Sequence, residues 1–118
     1  MILKTKSVEI SDEPLGCQII FSDTESQFEN EDEEYILIQK FFDDDIDEIE
    51  NYCYIESHEE NITGHYNKLE AILKKNYLEL KLKKRIVKIY FEIEEKQFNE
   101  LKSVLKIILY DLGEIELD

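Results

Sequence analysis

Apolar and polar residues alternate along much of this chain, as expected of strands that bury one face and leave the other wet. Ile86–Ile93 shows the pattern most cleanly: Val87, Ile89, Phe91 and Ile93 alternate with Ile86, Lys88, Tyr90 and Glu92. In Tyr77–Leu82, Leu78, Leu80 and Leu82 stand opposite Tyr77, Glu79 and Lys81, and just upstream Leu69, Ala71 and Leu73 alternate with Glu70 and Ile72. Lys74-Lys75-Asn76 separates these two runs, and Asn accepts the left-handed conformation that a tight turn requires, so residues 69–82 read as a hairpin. Cys17–Phe21, Tyr35–Phe42 and Tyr52–Ile55 are short strand-like runs, and Ile2–Ile10 is a weaker one. Pro14-Leu15-Gly16 punctuates the gap between Ile2–Ile10 and Cys17–Phe21.

Only Glu94–Leu112 carries a helical period. Phe98, Leu101, Val104, Leu105, Ile108, Leu109 and Leu112 recur at spacings of three and four and form one stripe. Glu94 and Glu95 suit the positive end of the helix dipole, and Gly113 suits a left-handed cap. The tail Glu114–Asp118 reads as a short edge strand. No internal repeat is present. The expected fold is therefore a single domain over residues 1–118, α+β and predominantly β: a twisted, mostly antiparallel sheet of six or seven strands with one C-terminal helix packed on it. An exposed edge strand, at Ile2–Ile10 or in the tail, offers a route to a homodimer.

Charge changes the picture more than composition does. The 118 residues carry 29 acids against 14 bases, a net charge of −15. Residues 1–60 hold 19 of the acids and three lysines, while residues 61–118 hold 10 acids and 11 bases. Such a chain is expected to be repelled by nucleic acid and by anionic lipid, and to meet basic proteins quickly. Glu29–Glu34 falls in an expected loop over residues 22–33. Asp43–Asn51 forms the second acidic run, where Ile46 and Ile49 allow a short helical turn. The start, Met1–Lys6, has no apolar signal-like core, and no stretch is apolar enough to span a membrane, so the reading is cytoplasmic. Cys17 and Cys53 lie in apolar runs and read as reduced, buried thiols.

Motifs for enzyme chemistry are scarce. There is no Gly-rich phosphate loop and no nucleophile elbow. His58-Glu59-Glu60-Asn61-Ile62 lacks the second His of a zinc-protease helix, and Cys53, His58 and His65 lack a fourth metal ligand. Asp43, Asp45 and Asp47 match the first positions of a calcium loop, but Glu48 stands where Gly is needed and Tyr54 where Glu is needed. The expectation is no enzyme, no cofactor and no metal. The acidic run has aromatic neighbours on both sides, Phe41 and Phe42 before it and Tyr52 and Tyr54 after it, and protein interfaces favour aromatic anchors within a polar rim. A partner-binding patch is expected at Phe42, Asp43, Asp44, Asp45, Asp47, Glu48, Glu50 and Tyr54. By strand alternation, about half of the four aromatics should point inward.

Tyr35-Ile36-Leu37-Ile38-Gln39-Lys40, then Tyr52-Cys53, then Gly64-His65-Tyr66, followed by a hairpin, a strand and a terminal helix, resemble the immunity-protein-10 family of bacterial polymorphic toxin systems. The resemblance covers roughly Cys17 to Leu112. It implies a predominantly β protein that neutralises a cognate toxin by binding it, without catalysis. It also implies that Tyr35, Gln39, Tyr52, Cys53, His65 and Tyr66 are motif residues, which we read as structural, with Gln39 and His65 hydrogen-bonded within the sheet region. The chain departs from the family pattern in its Lys-, Asn- and Ile-rich composition and in the acidic run at Glu29–Glu34. The leading expectation is occlusion of a basic toxin surface, such as a nuclease groove. The alternatives are an acidic nucleic-acid mimic that inhibits a DNA-binding protein, and a small ligand-binding or enzymatic domain with a pocket lined by Gln39, Tyr52, His65 and Tyr66.

Overall fold

A computed structural model describes residues 1–24, 33–42 and 52–117. Among these residues there are ten strands and one helix. They are β1 (Ile2–Lys4), β2 (Ser7–Glu13), β3 (Gly16–Ser22), β4 (Tyr35–Phe41), β5 (Cys53–Ser57), β6 (Gly64–Tyr66), β7 (Leu69–Lys74), β8 (Tyr77–Leu82), β9 (Arg85–Tyr90), α1 (Glu95–Ile108) and β10 (Ile115–Leu117). The class is α+β and predominantly β, with the C-terminal helix packed against sheet, as the patterning predicts. The strands divide, however, into two sheets of five, ordered β1-β9-β8-β7-β10 and β2-β3-β4-β5-β6.

The division begins at Thr5-Lys6. The Thr5 N–H donates to the Tyr90 carbonyl of the first sheet at 2.9 Å, and the next N–H, of Lys6, donates to Ser22 of the second at 2.8 Å. The weak run Ile2–Ile10 is thus two strands in two sheets. The second sheet is antiparallel throughout. In the first, the antiparallel β7-β8-β9 meander is flanked by parallel pairings with β1 and β10.

Alternation sets the core. Cys17, Ile19 and Phe21 of β3, Ile36 and Ile38 of β4, and Cys53 and Ile55 of β5 point inward from one sheet; Leu78, Leu80, Val87 and Ile89 do so from the other. Leu101, Val104, Leu105 and Ile108 of α1 complete one buried cluster. α1 lies against β2, β3 and β4, and Gln97 Nε2 donates to the Val8 carbonyl on the open edge of β2 at 2.8 Å. The helix is shorter than the apolar stripe: Leu109 is its C-cap, while Leu109 and Leu112 stay buried beyond it.

Two turns show what the local chemistry controls. Asn76 has φ of 70° between β7 and β8, the left-handed geometry expected there. After the helix, the left-handed residue is Asp111, with φ of 60°, and not Gly113. Gly113 is required for another reason: a Cβ on it would lie 1.9 Å from the Leu69 carbonyl oxygen. This close approach delivers the chain into β10. No helix among the described residues is long and apolar enough to cross a membrane.

Candidate partner-binding face

The side of the second sheet that faces away from α1 follows directly from register. Direct partners in antiparallel strands project to the same side. Ser11, Gln18, Gln39, Tyr54 and His65 are therefore one row running across all five strands. Glu9, Ile20, Leu37 and Glu56 form the next row.

Glu56 organises this face. Tyr35 donates its phenol to Glu56 Oε2 at 3.0 Å, and Tyr54 donates to Oε1 at 3.0 Å. One carboxylate thus fixes two rings from neighbouring strands. Burial, reinforced by the Glu56 hydrogen bond, pushes the Tyr35 phenol up to about 12. The Tyr54 phenol is raised mainly by its bond to Glu56. Gln39 Nε2 donates to Gln18 Oε1 at 3.1 Å. His65 is exposed, its ring 5.1 Å from that of Tyr52 in an edge-on arrangement and 5.2 Å from that of Tyr54. At the other end of β4, the Tyr35 N–H donates to His58 Nδ1 at 3.0 Å.

The six motif residues split between the two sides. Tyr35, Gln39, Tyr52 and His65 face outward, while Cys53 and Tyr66, which are paired in register, point into the core. The pocket imagined around Gln39, Tyr52, His65 and Tyr66 is not formed, because Tyr66 lies on the opposite side, its phenol donating to the Ile62 carbonyl. Cys53 and His65 are likewise on opposite sides, and the described residues contain no group of three or more His, Cys, Asp or Glu able to hold a metal. Both thiols are free and buried. Burial pushes Cys53 up to about 12; burial and a hydrogen bond to Asp12 push Cys17 to about 11.

Asp43, Asp44, Asp45, Asp47, Glu48 and Glu50 lie outside the described residues. The flanking members of the expected patch are placed: Phe42 is exposed and Tyr54 half-buried. The expectation that half of the four flanking aromatics point inward is not met. Phe41 is 70% exposed, Tyr52 45% and Phe42 37%. Phe41 shares the outward side of Leu37 and Gln39, and the Phe42 N–H is drawn to the Leu15 carbonyl at 3.0 Å, beside an exposed Leu15. Gly16 lets β3 pass this point, since a Cβ there would lie 2.6 Å from the Lys40 carbonyl oxygen.

Glu56 escapes the sequence reading although its signal is present. Extending the Tyr52–Ile55 alternation by one residue puts Glu56 on the side of Tyr54. Where β3 ends and β4 begins, Ser22 and Thr24 both donate to the Glu33 carboxylate, and the Glu34 N–H donates to Asp23 Oδ1 at 3.1 Å.

No family model matches the chain, and no curated protein or solved structure matches it either.

Proposed function

We propose that this chain is a cytoplasmic, non-enzymatic immunity protein that neutralises a bacterial toxin by docking on it through the outer face of the second sheet. The observation that carries the reading is the set of exposed large side chains Leu15, Phe41, Phe42 and Tyr52 at the end of the second sheet where the acidic run 43–50 joins β4 to β5, Phe41 and Tyr52 among them on the outer face. Aromatic anchors next in sequence to a run of six acids suit a partner with an apolar hollow rimmed by basic residues. A nuclease groove has that basic character. The Tyr35-Glu56-Tyr54 bonds hold two further rings in place before any partner arrives, which lowers the ordering cost of binding. The resemblance to the immunity-protein-10 family points to the same activity.

The test is co-expression with the product of the adjacent reading frame. The expected result is a stoichiometric complex that restores growth. Phe41→Ala is expected to weaken it by about 2 kcal/mol or more, as hot-spot truncations do, with the melting temperature unchanged. Lys replacement of Asp44, Asp45 and Asp47 is expected to slow association while dissociation is little altered. Failure to bind any neighbouring product, or a Phe41→Ala variant that binds like the parent, overturns the reading.

A further inference from the structure

Among the described residues, β2 is the one long strand with an open edge. The sheets end at β1 and β10, and at β2 and β6; β1, β6 and β10 have three residues each, whereas β2 has seven. Hydrogen-bond parity shows which peptide groups that edge presents. The Phe42 N–H donates to the Leu15 carbonyl and the Asp23 N–H to the Glu34 carbonyl, each at 3.0 Å, in the β3–β4 register. Odd-numbered residues of β3 therefore turn their peptide groups to β4, and even-numbered ones to β2. Ser7, Glu9, Ser11 and Glu13 stand opposite those even-numbered residues. The N–H and C=O groups of Val8, Ile10 and Asp12 are left pointing off the sheet. The Gln97 carboxamide donates to the Val8 carbonyl at 2.8 Å. The backbone groups of Ile10 and Asp12 have no hydrogen-bond partner among the described residues.

Beside this edge runs a groove of about 590 Å³ between β2 and α1. Ile10 and Val104 form its apolar floor, and Lys96, Asn99, Glu100 and Ser103, on one stripe of α1, form its wall. Ile10 and Asp12 point to the groove side, in register with the buried Ile19 and Cys17, while Glu9 and Glu13 point to the other side of the sheet. We propose that the β2 edge takes up an extended peptide segment as an added strand. The segment alternates apolar residues, set into the groove against Ile10 and Val104, with lysine or arginine, set beside Glu9 and Glu13.

Chemistry selects this occupant. Open N–H and C=O groups repeating at every second residue match another extended backbone, whose alternate side chains the groove then reads. The Gln97 carboxamide already stands on Val8 where such a backbone N–H would. Edge and groove carry Glu9, Asp12, Glu13 and Glu100 against Lys96, so a cationic segment is drawn in and an anionic one turned away. Charge also opposes a second copy of β2 as the occupant. Ser7–Glu13 contains three acids and no base, so two such strands would set acids only against acids.

The inference does not rest on the toxin reading, and a synthetic probe tests it without a toxin. The probe is a capped heptapeptide of alternating lysine and valine. Its control has the same composition with the lysines and the valines each in one block, so that net attraction to a −15 chain is equal for both. The alternating peptide is expected to bind saturably and at least about tenfold tighter than the block peptide. Hydrogen exchange followed by NMR should slow at the Ile10 and Asp12 amides on binding and stay unchanged at Glu9 and Ser11, which already face β3. Ile10→Pro removes an edge-facing donor while sparing the β2–β3 ladder, as proline does on an open edge, and is expected to weaken binding about tenfold. Glu13→Lys, at an exposed position, should weaken it several-fold at low salt and less at high salt, which keeps the test intact if the proline variant is misfolded. Equal binding of the two peptides overturns the proposal. So does an unchanged exchange rate at Ile10 and Asp12 in the presence of bound peptide, or self-association of the chain through β2 that the peptide does not displace.

Discussion

Glu56 and the buried thiols make separable residue-scale predictions. In Glu56→Ala, Tyr54 loses the main cause of its raised pKa, so its titration should return close to that of an ordinary phenol. Tyr35 should fall only partway, because burial is the larger cause there. Ring-resonance NMR against pH distinguishes the two. Cys17 and Cys53 are held neutral by burial, at about 11 and about 12, and the thiolate is the reactive form. Neither should react with a thiol reagent at neutral pH until the protein is unfolded, when both should.

At the scale of elements, glycines separate close packing from open space. Gly113→Ala forces a Cβ into the Leu69 carbonyl and should pull β10 off β7, costing about 1–3 kcal/mol as over-packing does. Gly64→Ala meets nothing within 4 Å and should stay within about 0.5 kcal/mol of the parent. Urea unfolding of the two variants makes the comparison. Local patterning could not distinguish these glycines, because the difference lies in what another strand brings close. The same limit explains the rest. Runs such as Tyr77–Leu82 announced themselves because one face is buried. Gly64-His65-Tyr66 is too short to show a period, so β6 was legible only as a motif. The break at Thr5-Lys6 has no Pro or Gly to mark it, and with it the existence of two sheets was hidden. The outward placement of Phe41 and Tyr35 followed from alternation, whereas the gathering of Tyr35, Tyr54 and Glu56 depends on the β4–β5 register, which is a long-range pairing.

For the whole molecule, ionisation and charge set the stability profile. The Cys17 and Cys53 thiols and the Tyr35 and Tyr77 phenols are all raised above their ordinary values of 9.0 and 10.0. The native state therefore keeps protons that the unfolded chain gives up. Their contribution is complete below about pH 9 and is lost as pH climbs from there toward about 12. The melting temperature should fall steadily as pH is raised above about 9, and Cys53→Ala should flatten the first part of that fall. Added salt should raise the melting temperature near neutral pH, since self-repulsion at −15 opposes compaction.

Strand β1 finds its hydrogen-bonding neighbour, β9, only across most of the sequence, Ile2 alongside Lys88. During synthesis it leaves the ribosome early and must wait, unmated, while the intervening residues are made. The antiparallel second sheet can form from neighbours in the meantime, but the first cannot close until β9 emerges. A nascent chain halted short of Arg85 should therefore leave Leu3 open to protease, and one released past Tyr90 should bury it.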